Sequence, residues 1–175
     1  GVGALKALKE NGVELKGRKV LLLGAGGAAR AIAYALAKEA DELAVLNRTP
    51  KQAQEIAKLV SKALSKKVES GSLSAIDIKK NLRDSDILVN ATSVGMKPNP
   101  DESPVPAELL RRDLSVMDIV YNPLETKLSK NAQDAGATVI SGVEMLIYQG
   151  AASFEIWTGK SAPVEVMRKA ALTHL

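Results

Sequence analysis

Residues 19–40, KVLLLGAGGAARAIAYALAKEA, constrain the fold more than any other part of the chain. The run Val20-Leu21-Leu22-Leu23 is apolar at every position, the pattern of a strand buried on both faces rather than on one. It leads into Gly24-Ala25-Gly26-Gly27-Ala28-Ala29, which matches G-x-G-x-x-A, and then into an alanine-rich helical run. In a dinucleotide site each small residue has a physical task. Gly24 permits the sharp turn out of the strand, Gly26 lets backbone approach a pyrophosphate, and Ala29 lets the helix lie close to the sheet. The unbonded N–H groups at the helix start, carrying roughly half an elementary positive charge, would face the phosphates. A glycine-rich turn alone is weak evidence. Here it stands between a buried strand pattern and a helix pattern, with another strand pattern at 42–46.

The rest of the chain continues the alternation. Strand-like stretches fall at 66–69, 86–90, 116–120 and 138–140. Helical patterns fall at 1–11 (Val2, Leu5 and Leu8 on one face), from Pro50 (Ala53, Ile56, Ala57, Val60 and Leu64 inward), and at 74–83. Further helices are expected at 106–112, 126–135, 143–157 and 163–173. Pro98, Pro100, Pro104 and Pro106 mark a loop. Alternation of this kind predicts an α/β fold, a doubly wound (Rossmann) parallel sheet of about six strands with helices on both faces, ordered 3-2-1-4-5-6. In that order the first and fourth strands are neighbours. Their carboxyl ends open the crevice, so the Gly24 turn should face residues 90–93.

The ribose 2′-OH of NAD is usually bound by an Asp or Glu at the end of the second strand, about 20 residues past the first glycines. This chain has Asn47-Arg48-Thr49 there, followed by Lys51. A carboxylate would repel a 2′-phosphate, whereas Arg48 can pair with it at about 1.5–3 kcal/mol per charged hydrogen bond. Its guanidinium plane can also stack on adenine. NADP is therefore the cofactor expected.

Hydride transfer to or from an alcohol also requires a group that handles the hydroxyl proton. The candidates at the carboxyl ends of the strands are Thr92, Ser93, Tyr121 and Asn122, and Asp118 falls inside the fifth-strand pattern, where it is read as structural. None makes a convincing acid–base pair. The 175 residues hold no cysteine and one histidine, His174, which argues against a zinc site. The net charge of +4 is read as a lysine-rich solvated surface, because no basic stripe with interleaved aromatics suggests nucleic acid. No apolar run is long enough for a membrane span and no signal-peptide pattern is present, so a cytoplasmic protein is expected.

Several stretches together resemble the shikimate dehydrogenase family: GAGGAARA (24–31), NRT (47–49), NATSVGM (90–96), DIVYNPLET (118–126) and GVEMLIYQGAASFEIWTG (142–159). The resemblance implies the NADP-binding, C-terminal part of an enzyme that reduces 3-dehydroshikimate to shikimate in aromatic amino-acid biosynthesis. It implies that residues 25–28 hold the pyrophosphate and that Asn47, Arg48 and Thr49 hold the adenosine and its 2′-phosphate. Thr92, Ser93 and Val94 would line the crevice, and Ile119, Gly142 and Met145 would flank the nicotinamide ribose and ring. Tyr121 and Gln149 would reach a small-molecule substrate. By residue pattern alone, Tyr121 is equally a strand-end cap and Gln149 a solvated helix position; Met145 is open between core and site, and Phe154 and Trp157 read as core.

One departure concerns the NRTxxR or NRTxxK pattern, whose last position is Gln52 here, with Lys51 as the substitute. The resemblance makes residues 1–12 a linker helix and 160–175 a C-terminal helix packing back. It places the catalytic Lys and Asp in an N-terminal domain outside this chain, Gly1 matching the glycine of an Asn-Thr-Asp-Gly motif. On this reading the chain binds cofactor without turnover, and a homodimer is one assembly open to the full-length protein. Rival readings are a quinate/shikimate dehydrogenase, another NRT-bearing oxidoreductase such as glutamyl-tRNA reductase, or a non-catalytic NADPH-sensing module.

Overall fold

The structure, a computed structural model, describes residues 1–174. Six parallel strands form one sheet: β1 (Lys19–Leu23), β2 (Glu42–Asn47), β3 (Val68–Ser72), β4 (Ile87–Asn90), β5 (Ser115–Asp118) and β6 (Thr138–Ile140). Their order is β3-β2-β1-β4-β5-β6, as the alternation predicts. Among the described residues seven helices accompany them: α1 (Val2–Glu10), α2 (Gly27–Ala37), α3 (Pro50–Leu64), α4 (Ala75–Arg83), α5 (Lys127–Asp134), α6 (Gly142–Thr158) and α7 (Val164–His174).

Successive side chains of a strand point to opposite faces. Val20 and Leu22 of β1 therefore join Val45, Val89 and Met117 under α1, α2, α3 and α6, with Leu8, Ile32, Leu36 and Ile56 packed on them. Leu21 and Leu23 join Leu46, Leu88 and Val116 on the other face, under Leu82 of α4 and Leu128 of α5. Both faces are covered, so the central strands show no polar alternation.

The edges depart from expectation. The third strand runs over Val68–Ser72 rather than 66–69. Lys66 is drawn out of the sheet because its ammonium donates to the carbonyls of Ala37 and Ala40 at the end of α2. The fifth strand stops at Asp118 rather than 120, because the Val120 N–H turns inward to the Asp118 carboxylate. Residues 106–112 hold only a short 3-10 turn, Ala107–Leu109, after which Leu110 is extended and buried. In α1 the buried face is Gly3, Ala4, Ala7 and Leu8, and Val2 is exposed.

Trp157 is 82% exposed and Phe154 half-buried, against the core reading of both. At 1.5 Å per residue, α6 is about 25 Å long and its partner α1 about 13 Å. The buried residues of α6 end at Ala151, and its last turns overhang. Helix α7 is pinned to the first half of α6. Arg168 Nε and Nη2 each donate to a Glu144 carboxylate oxygen at 2.9 Å, and Nη2 also donates to the Tyr148 hydroxyl at 3.2 Å.

Candidate functional site

The carboxyl ends of β1 and β4 lie side by side, with Leu23 in register with Asn90. Gly24 leaves β1 with φ +106, a left-handed backbone that favours glycine. Its N–H donates to Leu46 O at 2.7 Å, and the Ala91 N–H donates to Leu23 O at 2.7 Å. The turn is thereby tied to β2 on one side and β4 on the other.

Gly26 is different. Its φ of −76 suits any residue, and a Cβ built on it would meet no protein atom within 4 Å. Neither its backbone angles nor packing among the described residues requires a glycine there. Gly26 is also the N-cap of α2. No side chain caps that end and no acidic residue lies in its first turn, so its N–H groups and dipole are open to an anion.

A cleft of about 310 Å³ runs from Gly24, Ala25 and Gly26 across to Asn47, Arg48, Thr49 and Gln52, with residues 91–94 as its other wall. Arg48 is exposed and forms no ion pair among the described residues. Among the described residues no carboxylate lines the cleft. Asn47 Nδ2 donates to Thr49 O at 3.2 Å and to Gln52 Oε1 at 2.8 Å, which shapes the turn that presents Arg48. Lys51 stands on the exposed first turn of α3 and does not line the cleft; Gln52 does. Gly27 and Ala28 lie outside this cleft, on the flanks of the α2 start.

Ala91, Thr92 and Ser93 also form one wall of a second cleft of about 510 Å³. Its opposite wall is Ile119, Val120, Tyr121 and Asn122, and Met96 and Lys97 close one side. Gly142 is seated against Ile119, where a Cβ would come within 2.5 Å of the Ile119 carbonyl oxygen. Met145 and Gln149 face a third hollow, of about 460 Å³, together with Gly3 and Ala28. Most of the expected site residues fall in these three hollows, Val94 in the first only, while Gly27, Lys51 and Gly142 line none of them. The titratable side chains lining the first two are Arg48, Lys97 and Tyr121. Among the described residues no group of His, Asp and Glu is arranged to hold a metal ion. Asp118 lines neither cleft and is buried in hydrogen bonds.

Residues 6–120 match the model of the shikimate / quinate 5-dehydrogenase family, and residues 142–172 match that of the shikimate 5′-dehydrogenase C-terminal domain. The chain belongs to the shikimate/quinate 5-dehydrogenase family. A shikimate dehydrogenase (NADP(+)) of Methanosarcina acetivorans is 52% identical over 176 residues, covering 100% of this chain and 62% of that relative. The chain thus spans about three fifths of the length of the curated relatives it matches. A crystal structure of shikimate dehydrogenase in complex with NADP+ superposes with a TM-score of 0.90 at 44% identity, covering 99% of this chain and 60% of that one. A shikimate 5-dehydrogenase from Listeria monocytogenes, in complex with shikimate and NAD, gives a TM-score of 0.91 at 35% identity, covering 96% and 60%.

Within this family member, Leu73 and Lys97 are cleft residues that sequence reasoning passed over. Leu73 follows β3, and a strand placed at 66–69 puts it in mid-loop. The signal available was the Val68 to Ser72 span as an edge strand, whose carboxyl end belongs to the crevice side of the sheet. Lys97 sits in the proline-marked loop, and nothing in its local pattern aims it at the β5 end. No helix among the described residues is long and apolar enough to cross a membrane.

Proposed function

We propose that this chain is the NADP(H)-binding domain of a shikimate dehydrogenase, which reduces 3-dehydroshikimate to shikimate by hydride transfer. The observation that carries the reading is the pairing of Gly26 with Arg48 across one cleft. The first leaves room for a pyrophosphate at an open helix start, and the second brings an uncommitted guanidinium to the place where an NAD-selective site would hold a carboxylate. Relatives at about half identity are named for NADP, which supports the same choice.

On this reading the 2′-phosphoadenosine lies along Arg48 and Thr49, and the pyrophosphate over residues 25–28. The nicotinamide half enters the cleft between residues 91–93 and 119–122, near Gly142 and Met145. The cofactor, when bound, supplies the hydride. The chain's own residues bind and orient it, and Tyr121 and Gln149 present a hydroxyl and an amide to the substrate's hydroxyls. Among the described residues no acidic side chain lines these clefts to move a proton. That task is assigned to the part of the relatives' length that this chain does not span. Residues 1–12 then serve as the linker helix, and α7 as the helix that packs back; Leu175 lies outside the described residues.

The test is calorimetric titration of the purified protein with NADPH and NADH, beside an assay with shikimate and NADP. Tight NADPH binding, weaker NADH binding and no turnover are expected. Absence of binding to either nucleotide rejects the cofactor reading, and steady turnover rejects the assignment of proton handling.

A further inference from the structure

Asn90 ends β4, Asp118 ends β5, and the two are direct partners in the parallel ladder. Their side chains leave the sheet on the same face and meet. Asn90 Nδ2 donates to Asp118 Oδ1 at 2.9 Å. The same oxygen accepts the Val120 N–H at 3.1 Å, and Oδ2 accepts the Thr126 hydroxyl at 2.6 Å. On the far side, Asn90 Oδ1 accepts the Thr92 N–H at 3.0 Å and the Thr92 hydroxyl at 2.7 Å. The Thr92 oxygen in turn accepts the Val94 N–H at 3.2 Å. Every donor in this relay points towards the carboxylate. Asp118 is 1% exposed and has no ion-pair partner among the described residues.

A buried carboxylate without a cation is a costly way to join two strands, because an apolar pair of similar volume would hold them as well. Burial pushes the Asp118 carboxyl above its ordinary value, and its three hydrogen bonds pull the other way without cancelling that rise. What the carboxylate adds is direction. It accepts only, so Asn90 must turn its amide nitrogen towards Asp118 and its oxygen towards Thr92. Residues 92–93 and 120–121, on the two walls of the 510 Å³ cleft, are then held by one anchor.

We propose that Asp118 is a positioning residue for the nicotinamide half of the cofactor, setting the separation of both cleft walls through Asn90 and Val120. This rests on the dinucleotide reading above and adds to it a residue that lies outside the cleft.

The test compares NADPH with 2′,5′-ADP, which carries the phosphorylated adenosine and no nicotinamide. Asp118→Asn keeps an oxygen towards Asn90 and Val120, and its amide can donate to the Thr126 oxygen, so this variant should retain NADPH affinity. Asp118→Leu strands all three donors and should bind NADPH about tenfold more weakly or worse, the scale of a lost hydrogen bond to a charged acceptor, with 2′,5′-ADP affinity falling far less. Asn90→Leu should show the same split while leaving the Val120 and Thr126 bonds in place, and it decides the matter if Asp118→Leu fails to fold. Leucine variants that lose both ligands in parallel, or lose neither, would overturn the positioning role. A wild-type protein that binds neither ligand would overturn the dinucleotide reading and this proposal with it.

Discussion

Gly24 and Ala91 meet where the winding of the sheet reverses: a Cβ added to Gly24 would lie 2.5 Å from the Ala91 carbonyl oxygen and 2.8 Å from its carbon. Both partners are backbone, held at the ends of adjacent strands, so neither can step aside cheaply. The crevice therefore narrows to bare main chain at its floor. Gly26, two residues on, faces open space instead.

That contrast separates two substitutions of the same size. Gly24→Ala should destabilise the fold by about 1–3 kcal/mol from its backbone conformation alone, with the clash in addition. A lowered denaturant midpoint at unchanged slope would be the signature.

Gly26→Ala should change stability by less than about 1 kcal/mol, since its backbone is ordinary and its Cβ meets nothing. It should nonetheless weaken NADPH binding at least about tenfold, a loss of roughly 1.4 kcal/mol. Titration and urea unfolding on the same preparation check both halves. A stable variant with undiminished affinity would mean that the pyrophosphate lies elsewhere.

Arg48→Ala should weaken NADPH much more than NADH, because only the former carries the 2′-phosphate. A differential of about tenfold or more is expected from one charged hydrogen bond. Equal losses in the two titrations would assign Arg48 to adenine stacking or to the turn.

Arg168 holds α7 by a two-pronged contact with Glu144, and these carboxylate bonds raise its affinity for its proton above the ordinary arginine value. Arg168→Ala should loosen α7 at a cost of about 1–3 kcal/mol. Arg168→Lys should rescue only part of it, because an ammonium lacks the planar fork. Hydrogen exchange confined to residues of α7 and the facing turns of α6 would report the change.

Asp118 also predicts a pH dependence. Its folded value lies above the ordinary 3.8, so over that window the folded state keeps a proton that the unfolded chain has released. Its contribution to stability therefore falls as pH rises from 3.8 through the folded value. Asp77 has the opposite sign: the Ser72 hydroxyl and N–H hold it below the ordinary range, so its contribution is lost as pH falls through its folded value. The readout is the difference between Asp118→Asn and wild type in urea unfolding across pH, which should grow in favour of the variant on the alkaline side. A difference that stays flat contradicts the assignment.

Sheet order and the crevice were legible because β1, β2 and β4 are apolar at nearly every position and α3 carries an inward stripe of Ala53, Ile56, Ala57 and Val60. Burial on that scale leaves a periodic trace in the residues themselves. The edge strand β3 left none, since Glu69, Ser70, Gly71 and Ser72 bury little. Trp157 misled for a related reason: an aromatic in an apolar helix reads as core, and only the short length of α1 shows that the helix outruns its partner.

The glycine turn, the arginine in place of a carboxylate and the alternation of strand and helix patterns were determined by the order of residues alone, because each acts over a few positions of local backbone. Tertiary structure decided which distant groups share a wall. Lys97 reached the β5 end, Gln52 took the cleft position instead of Lys51, and Asn90 met Asp118 across 28 residues. Such meetings depend on where loops close and which strands lie in register, and those are settled by the packing of the whole sheet rather than by any neighbourhood within the chain.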